Sequence, residues 1–182
     1  MTQAGRIAPL ISSPGASFEQ PFEMLQACHE RIQRMLVLLQ RLRGHVGEHG
    51  VDVQARQAAR DVMRYFDQAA PQHHRDEELH VFPPLIAQGD PATLALVSRL
   101  QQDHLQMEAR WKQARSVLAD LEAGTLQALA ADQLAVLDAF TGLYADHIAA
   151  EEQIAYPAAG ALLDADGLAA MGREMSGRRG AG

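Results

Sequence analysis

His73-His74-Arg75-Asp76-Glu77-Glu78-Leu79-His80-Val81-Phe82-Pro83 and His147-Ile148-Ala149-Ala150-Glu151-Glu152-Gln153-Ile154-Ala155-Tyr156-Pro157 share one frame: His, three residues, Glu-Glu, three residues, aromatic, Pro. A histidine and a glutamate four residues apart lie one turn apart on the same helix face. Two such pairs on two helices can converge on a dinuclear metal centre inside a bundle. The repeat therefore argues for an all-α metalloprotein.

The rest of the chain agrees with helices. Aromatics are 5% of 182 residues, while Ala, Leu and Gln are abundant, a mixture that favours helix over sheet. Gly and Pro punctuation separates four long helical segments, at about 18–45, 51–87, 92–122 and 125–163. A short fifth helix is expected near 168–174. Short connections favour antiparallel neighbours, so the expected fold is an up-down-up-down four-helix bundle. Residues 1–17 read as a flexible arm rather than a signal peptide. Residues 18–163 form the bundle, and 164–182 a short helix with a disordered tail from Ser176 onward.

Charge and cysteine content narrow the partners. A net charge of −7 with no basic stripe argues against nucleic acid. No apolar run reaches the length of a membrane span. The lone Cys28 cannot form an intrachain disulfide, which fits a reducing, cytoplasmic setting.

Eight histidines are present, and helical phase sorts them. His29 shares a face with Phe22, Leu25, Ile32 and Leu36. His104 shares one with Val97, Leu100, Met107 and Trp111. His147 shares one with Val136, Phe140, Leu143 and Ile154. His73 is in phase with Val62 and Phe66, whereas His74 falls on a poorer stripe beside Met63 and Asp67. Pro71 lies between these stripes and the histidines, and reads equally as a break or as a kink that aims the next turn. Measured from the ends of their helices, the four inward histidines sit at depths agreeing within about 8 Å. They fall at one level of one core, with Glu77 and Glu151 on the same faces. Buried imidazoles and carboxylates need partners, and an unpaired buried carboxylate calls for a cation.

Imidazoles and carboxylates without thiolate suit iron, manganese or zinc. Two metals bridged by Glu77 and Glu151, with His29, His73, His104 and His147 as terminal ligands, use every inward polar group and leave positions open for a small molecule. Mononuclear zinc is the chief alternative, but it usually takes only three or four ligands.

With these residues in place, the chain resembles the hemerythrin-like family, the histidine-histidine-glutamate cation-binding domains, over roughly 18–163. The resemblance rests on His29, the segment His73 to Pro83, His104, and the segment His147 to Pro157. It implies a four-helix bundle with two non-haem iron ions, manganese or zinc ranking behind iron. It assigns the same six residues as ligands. The chain departs from the oxygen-carrying members at two points. Glu108 stands where they carry a second histidine, four residues after the helix-three ligand. The helix-four carboxylate is Glu151, four residues after its histidine, where they have an aspartate five residues on; Glu152 fills that fifth place. These departures point away from simple oxygen transport and toward sensing or binding of iron, oxygen or nitric oxide. The runner-up is a diiron enzyme that reduces nitric oxide or oxygen or repairs iron centres; it needs an electron donor, and no second redox motif is visible. A ferritin-like oxidase ranks lower, because its paired Glu-x-x-His motif occurs once, at Glu77 to His80. A metal-free bundle ranks last.

The remaining candidates stand outside this set. His45, His49 and Glu108 are possible additional ligands. His80 reads as supporting or core, and His74, Glu78 and Glu152 as exposed or supporting. Cys28 reads as a small buried residue.

Overall fold

The computed structural model describes residues 17–180 and contains helices and no strand among them. The arm expected over 1–17 lies outside the described residues except for Ser17. Helix α1 is Pro21–His49, α2 is Val53–Asp76, α3 is Phe82–Gln88, α4 is Pro91–Ala123, α5 is Ala131–Thr141, α6 is Tyr144–Ala150, α7 is Tyr156–Leu162 and α8 is Ala165–Arg178. A π turn, Glu77–Val81, joins α2 to α3, and a second, Glu151–Ala155, joins α6 to α7. With the hitch at Gly142 and Leu143, the chain forms four long rods and a terminal helix. None of the described helices is long and apolar enough to cross a membrane.

Local chemistry sets the rod ends. Pro21 and Pro91 open α1 and α4 from the first turn, where a missing N–H costs nothing. Asp52 and Asp90 cap α2 and α4 by accepting from the Ala55 and Thr93 amides at 2.8 and 2.9 Å. Gly124 ends α4 at φ 74°, a left-handed conformation that glycine adopts without a Cβ clash. The sequence placed the end of helix one near His45. It runs instead to His49, through Gly44 and Gly47, because both glycines hold helical geometry. The fourth segment was expected to start at Thr125, but 124–130 is a connection and α5 begins at Ala131. Helix α2 runs through Pro71 without breaking.

The two π turns were not anticipated, and both begin at the glutamate of the repeat. The amide of Phe82 donates to the Glu77 carbonyl, and that of Tyr156 to the Glu151 carbonyl, five residues back rather than four. A widened turn relieves the clash a proline ring makes with the carbonyl four residues before it, and Pro83 and Pro157 follow directly. The extra residue advances the helical phase. Val81, Phe82, Ala155 and Tyr156 therefore face inward, while Ile154, expected on the His147 stripe, is 55% exposed.

Two apolar clusters fill the interior. One gathers Ile32, Leu39, Val62, Phe66, Met107, Leu118 and Phe140. The other gathers Leu25, Val81, Phe82, Leu85, Leu100 and Tyr156. Each rod crosses from one cluster to the other, in alternating order along the chain. Six of the seven buried polar residues among those described, His29, His73, Glu77, His104, His147 and Glu151, fall between the clusters, and the seventh, Asp76, faces α8. A polar layer thus interrupts an apolar core, and its cost must be met from within the layer.

Helix α8 closes the second cluster with Met171 and Met175. It is longer than the expected 168–174, and Ser176, Gly177 and Arg178, assigned to a disordered tail, lie in or at the end of it. Three features dock it. A Cβ on Gly172 would lie 1.9 Å from the Phe18 carbonyl oxygen, so only glycine permits this approach. Arg178 and Arg179 both donate to the fully buried Asp76. Glu174 accepts from Arg178 at 2.7 Å and faces His80 at 2.7 Å.

The hydrogen bond from Arg178, with further help from His80, holds the Glu174 carboxyl at about 2, below its ordinary 4.5. A carboxyl depressed on folding adds stability above its unfolded pKa and loses it as pH falls through the folded one. The contribution of Glu174 is therefore full above about 4.5 and gone near 2. Wild type is expected to melt above a Glu174→Gln variant at pH 6, with the gap narrowing progressively as pH falls from about 4.5 toward 2. A gap independent of pH would show that the charge of Glu174 does not hold α8.

Candidate metal centre

Each rod delivers one imidazole to the polar layer, and two rods add a carboxylate. His29 comes from α1, His73 from α2, His104 from α4 and His147 from α6. Glu77 and Glu151 come from the first residues of the two π turns. All six are at most 4% exposed.

The arrangement has an approximate two-fold symmetry that exchanges α1 with α4 and one repeat with the other. His73 Nε2 lies 3.3 Å from Glu77 Oε1, and His147 Nε2 lies 3.0 Å from Glu151 Oε1. His29 Nε2 lies 3.1 Å from Glu151 Oε2, and His104 Nε2 lies 3.4 Å from Glu77 Oε2. The longer approaches match too: His29 to Glu77 at 3.9 Å and His104 to Glu151 at 3.8 Å. Ring centroids are 4.7 Å apart for His29 and His73 and 4.9 Å for His104 and His147. Each carboxylate thus turns one oxygen toward the His29/His73 pair and the other toward the His104/His147 pair.

Three of the four outward nitrogens are held by carboxylates. His29 Nδ1 is 2.9 Å from Glu152 Oε1, His104 Nδ1 is 3.2 Å from Glu78 Oε1, and His147 Nδ1 is 3.3 Å from Asp103 Oδ2. A carboxylate only accepts, so Nδ1 carries the proton and Nε2 presents its lone pair inward. The second glutamate of each repeat therefore orients a histidine on a different rod. Sequence reading placed Glu78 and Glu152 outside the site or in support of it, and support is their part. It missed Asp103, whose contact joins residues 44 positions apart.

Inside the layer, the facing groups approach closely without hydrogen-bonding geometry. Glu77 Oε2, both oxygens of Glu151, and Nε2 of His104 and His147 are buried with no hydrogen-bond partner among the described residues. Lone pairs of imidazole and carboxylate pointing at one another require a shared cation, either protons or metal ions.

The electrostatics carry the same tension. Burial and the charge of Glu151 push the Glu77 carboxyl up. Burial would also raise Glu151, but the close imidazoles of His104, His147 and His29 outweigh it and hold that carboxyl well below its usual range. Burial lowers the His104 imidazole, yet Glu151 and Glu77 outweigh it and bring it to about 10. Burial, reinforced by the charge of His29, drives His73 far down and leaves it neutral. Neighbouring donors pushed in opposite directions mark a site built to hold positive charge. His29, His73, Glu77 and Glu151 present donor atoms within 4.8 Å of one another, and so do His104, His147 and Glu151. The two groups share Glu151.

The chain matches the hemerythrin HHE cation binding domain over residues 20–159. It belongs to that family. The hemerythrin HHE match spans all six residues of the layer and both π turns. The chain is also 32% identical over 164 residues to an uncharacterized protein of Haemophilus influenzae, covering 90% of this chain and 92% of that one. Family and cluster together point to metal binding.

Other candidates fall away from the layer of this hemerythrin HHE domain. His45 lies 3.0 Å from Asp52 and stacks on His49 at 4.7 Å. Glu108 is exposed and pairs with Lys112 at 2.8 Å. His80 pairs with Glu174 on α8. His74 is half-buried, stacks flat on His104 at 4.0 Å and lies 6.3 Å from the His147 ring, but it belongs to neither group of clustered donor atoms. Cys28 is buried and unpaired. A cavity of about 330 Å3 between α2 and α4 reaches from the surface to His74 and His104, past Phe66, Met107 and Trp111.

Proposed function

We propose that this protein is a non-haem diiron protein that binds or senses a small ligand, oxygen or nitric oxide, or iron itself. In this reading His29, His73, His104 and His147 are terminal ligands, and Glu77 and Glu151 bridge two ions. The fold is an up-down-up-down antiparallel bundle of the four rods. The carrying observation is the two-fold layer itself: four inward Nε2 atoms and two carboxylates, each spanning both histidine pairs, with buried oxygens that nothing else satisfies. The nitrogen and oxygen donors fit iron, with manganese next. Zinc fits less well, since it commonly takes four ligands in one tetrahedron. Iron bound there would supply one-electron chemistry and open positions for a diatomic molecule.

The protein's own contribution is orientation and exclusion. Glu152, Glu78 and Asp103 fix three imidazole rings. The apolar clusters on either side keep bulk water out. The cavity beside His104 offers a route inward for a small uncharged ligand. The second reading, an enzyme reducing nitric oxide or oxygen or repairing iron centres, needs electrons from outside, since the sequence has one cysteine and so no dithiol. Binding therefore ranks ahead of turnover, in a reducing cytoplasmic setting.

The test is anaerobic addition of nitric oxide to the reduced iron-loaded protein. New visible absorption bands at stoichiometric nitric oxide are expected, with no consumption on repeated additions. An unchanged spectrum with both nitric oxide and oxygen, at full iron content, would remove the ligand-binding reading.

A further inference from the structure

Among the departures from two-fold symmetry in the layer, two bear directly on the groups that face the His29/His73 position. The aromatic residues of the repeat, Phe82 and Tyr156, occupy equivalent places. Phe82 stacks on His104 at 5.7 Å, and Tyr156 stacks on His29 at 5.5 Å. The rings correspond, so what differs is the hydroxyl. Tyr156 Oη donates to Glu77 Oε1 and lies 3.2 Å from His29 Nε2. Glu77 Oε1 is the oxygen turned toward His29 and His73. No hydroxyl touches either oxygen of Glu151, and both are without a hydrogen-bond partner among the described residues.

The second break is at the outer nitrogens. His147 has Asp103 on its Nδ1, and Asp103 immediately precedes His104. Exchanging α4 for α1 carries Asp103 onto Cys28, which immediately precedes His29. His73, the counterpart of His147, has no hydrogen-bond partner on its buried Nδ1 among the described residues. A cysteine stands where the symmetry calls for a carboxylate.

Both differences weaken the same position. A carboxylate oxygen already accepting a hydrogen bond gives less electron density to a metal ion. An imidazole without an acceptor on its far nitrogen is a poorer and less fixed donor. We propose that the two metal positions of this protein are inequivalent by construction: the His104/His147 position fills first, and the His29/His73 position, handicapped by the Tyr156 hydroxyl and by Cys28, binds more weakly. Tyr156 is a positioning residue that acts through Glu77. Stepwise loading would make the occupancy of the second position, and so the assembly of a complete pair, depend on iron concentration. The inference rests on the dinuclear reading above.

The experiment is anaerobic equilibrium dialysis of the apoprotein against graded iron(II), with bound iron counted per chain. Wild type is expected to bind two ions in two resolved steps. Tyr156→Phe keeps the ring and its stacking and removes the hydroxyl. It should tighten the second step by about tenfold, the effect of one hydrogen bond to a carboxylate, and leave the first unchanged. Cys28→Asp should tighten the second step by about tenfold or more, since an outer-nitrogen acceptor is typically worth that in metal affinity. Circular dichroism checks that each variant is folded, and the near-isosteric Tyr156→Phe decides the matter if Cys28→Asp is not. Two ions bound in one step, or a Tyr156→Phe isotherm identical to wild type or tightened at the first step, would overturn the inequivalence while leaving the dinuclear centre standing. Fewer than two ions in wild type would overturn both.

Discussion

His73→Ala and His147→Ala are each expected to reduce bound metal from two ions to one or none, while His74→Ala retains two. His73 and His147 point Nε2 at Glu77 and Glu151 from one turn away. In the proposed centre, removing either ring takes a terminal donor, and it leaves a fully buried carboxylate short of its neighbour. His74 is next to His73 in sequence and stacks on His104, but it belongs to neither group of clustered donor atoms. Its loss costs packing and little metal. Metal analysis after dialysis against iron separates the cases. Equal loss in all three variants would mean that the layer is not the metal site, or that His74 belongs to it. Because metal binds the folded state, the two depleted variants should also melt lower than wild type, and chelated wild type should approach them.

Asp76→Ala is expected to destabilise the protein by about 3 kcal/mol, which for a chain of this size lowers the melting temperature by roughly 6–12 °C. Asp76 is fully buried and meets two guanidinium groups from the end of α8, each about one-fifth exposed. Breaking a buried pair leaves uncompensated charge, and the partial exposure of the arginines places the cost at the low end of the usual range. Asp76 is adjacent to Glu77, so the melt should be run on chelated protein as well. The same drop without metal assigns the effect to the strap between α2 and α8. A drop under about 1 kcal/mol would mean that α8 is held by its other contacts, Met171, Met175 and the Glu174–His80 pair, rather than by Asp76.

The sequence disclosed the layer because its information is local and repeated. A histidine and a glutamate one turn apart, twice, define two faces. Helical phase then added His29 and His104, and the structure brings all six residues together. What stayed hidden depends on contacts between distant positions or on departures from regular pitch. The π turns move inward phase by one residue, so Ile154 emerges and Tyr156 turns in toward Glu77; a reading at constant 3.6-residue period cannot register this. Asp103 looks like any exposed helical acid until α4 and α6 are packed. The Ser176-Gly177-Arg178-Arg179 segment opens on two poor helix formers and reads as a tail, yet Asp76, 102 residues earlier, holds Arg178 in place. The hydroxyl of Tyr156 gave a local signal that was available: the aromatic position of the repeat is Phe in one copy and Tyr in the other.

The measurement that bears most directly on the dinuclear centre is metal content per chain after reconstitution with iron, read with the ultraviolet-visible spectrum in air and after anaerobic reduction. Two irons per chain, with near-ultraviolet charge-transfer bands that bleach on reduction, is the predicted result. One zinc per chain, or no metal retained, would contradict it and leave the buried histidines and glutamates as a proton-sharing layer in a helical domain.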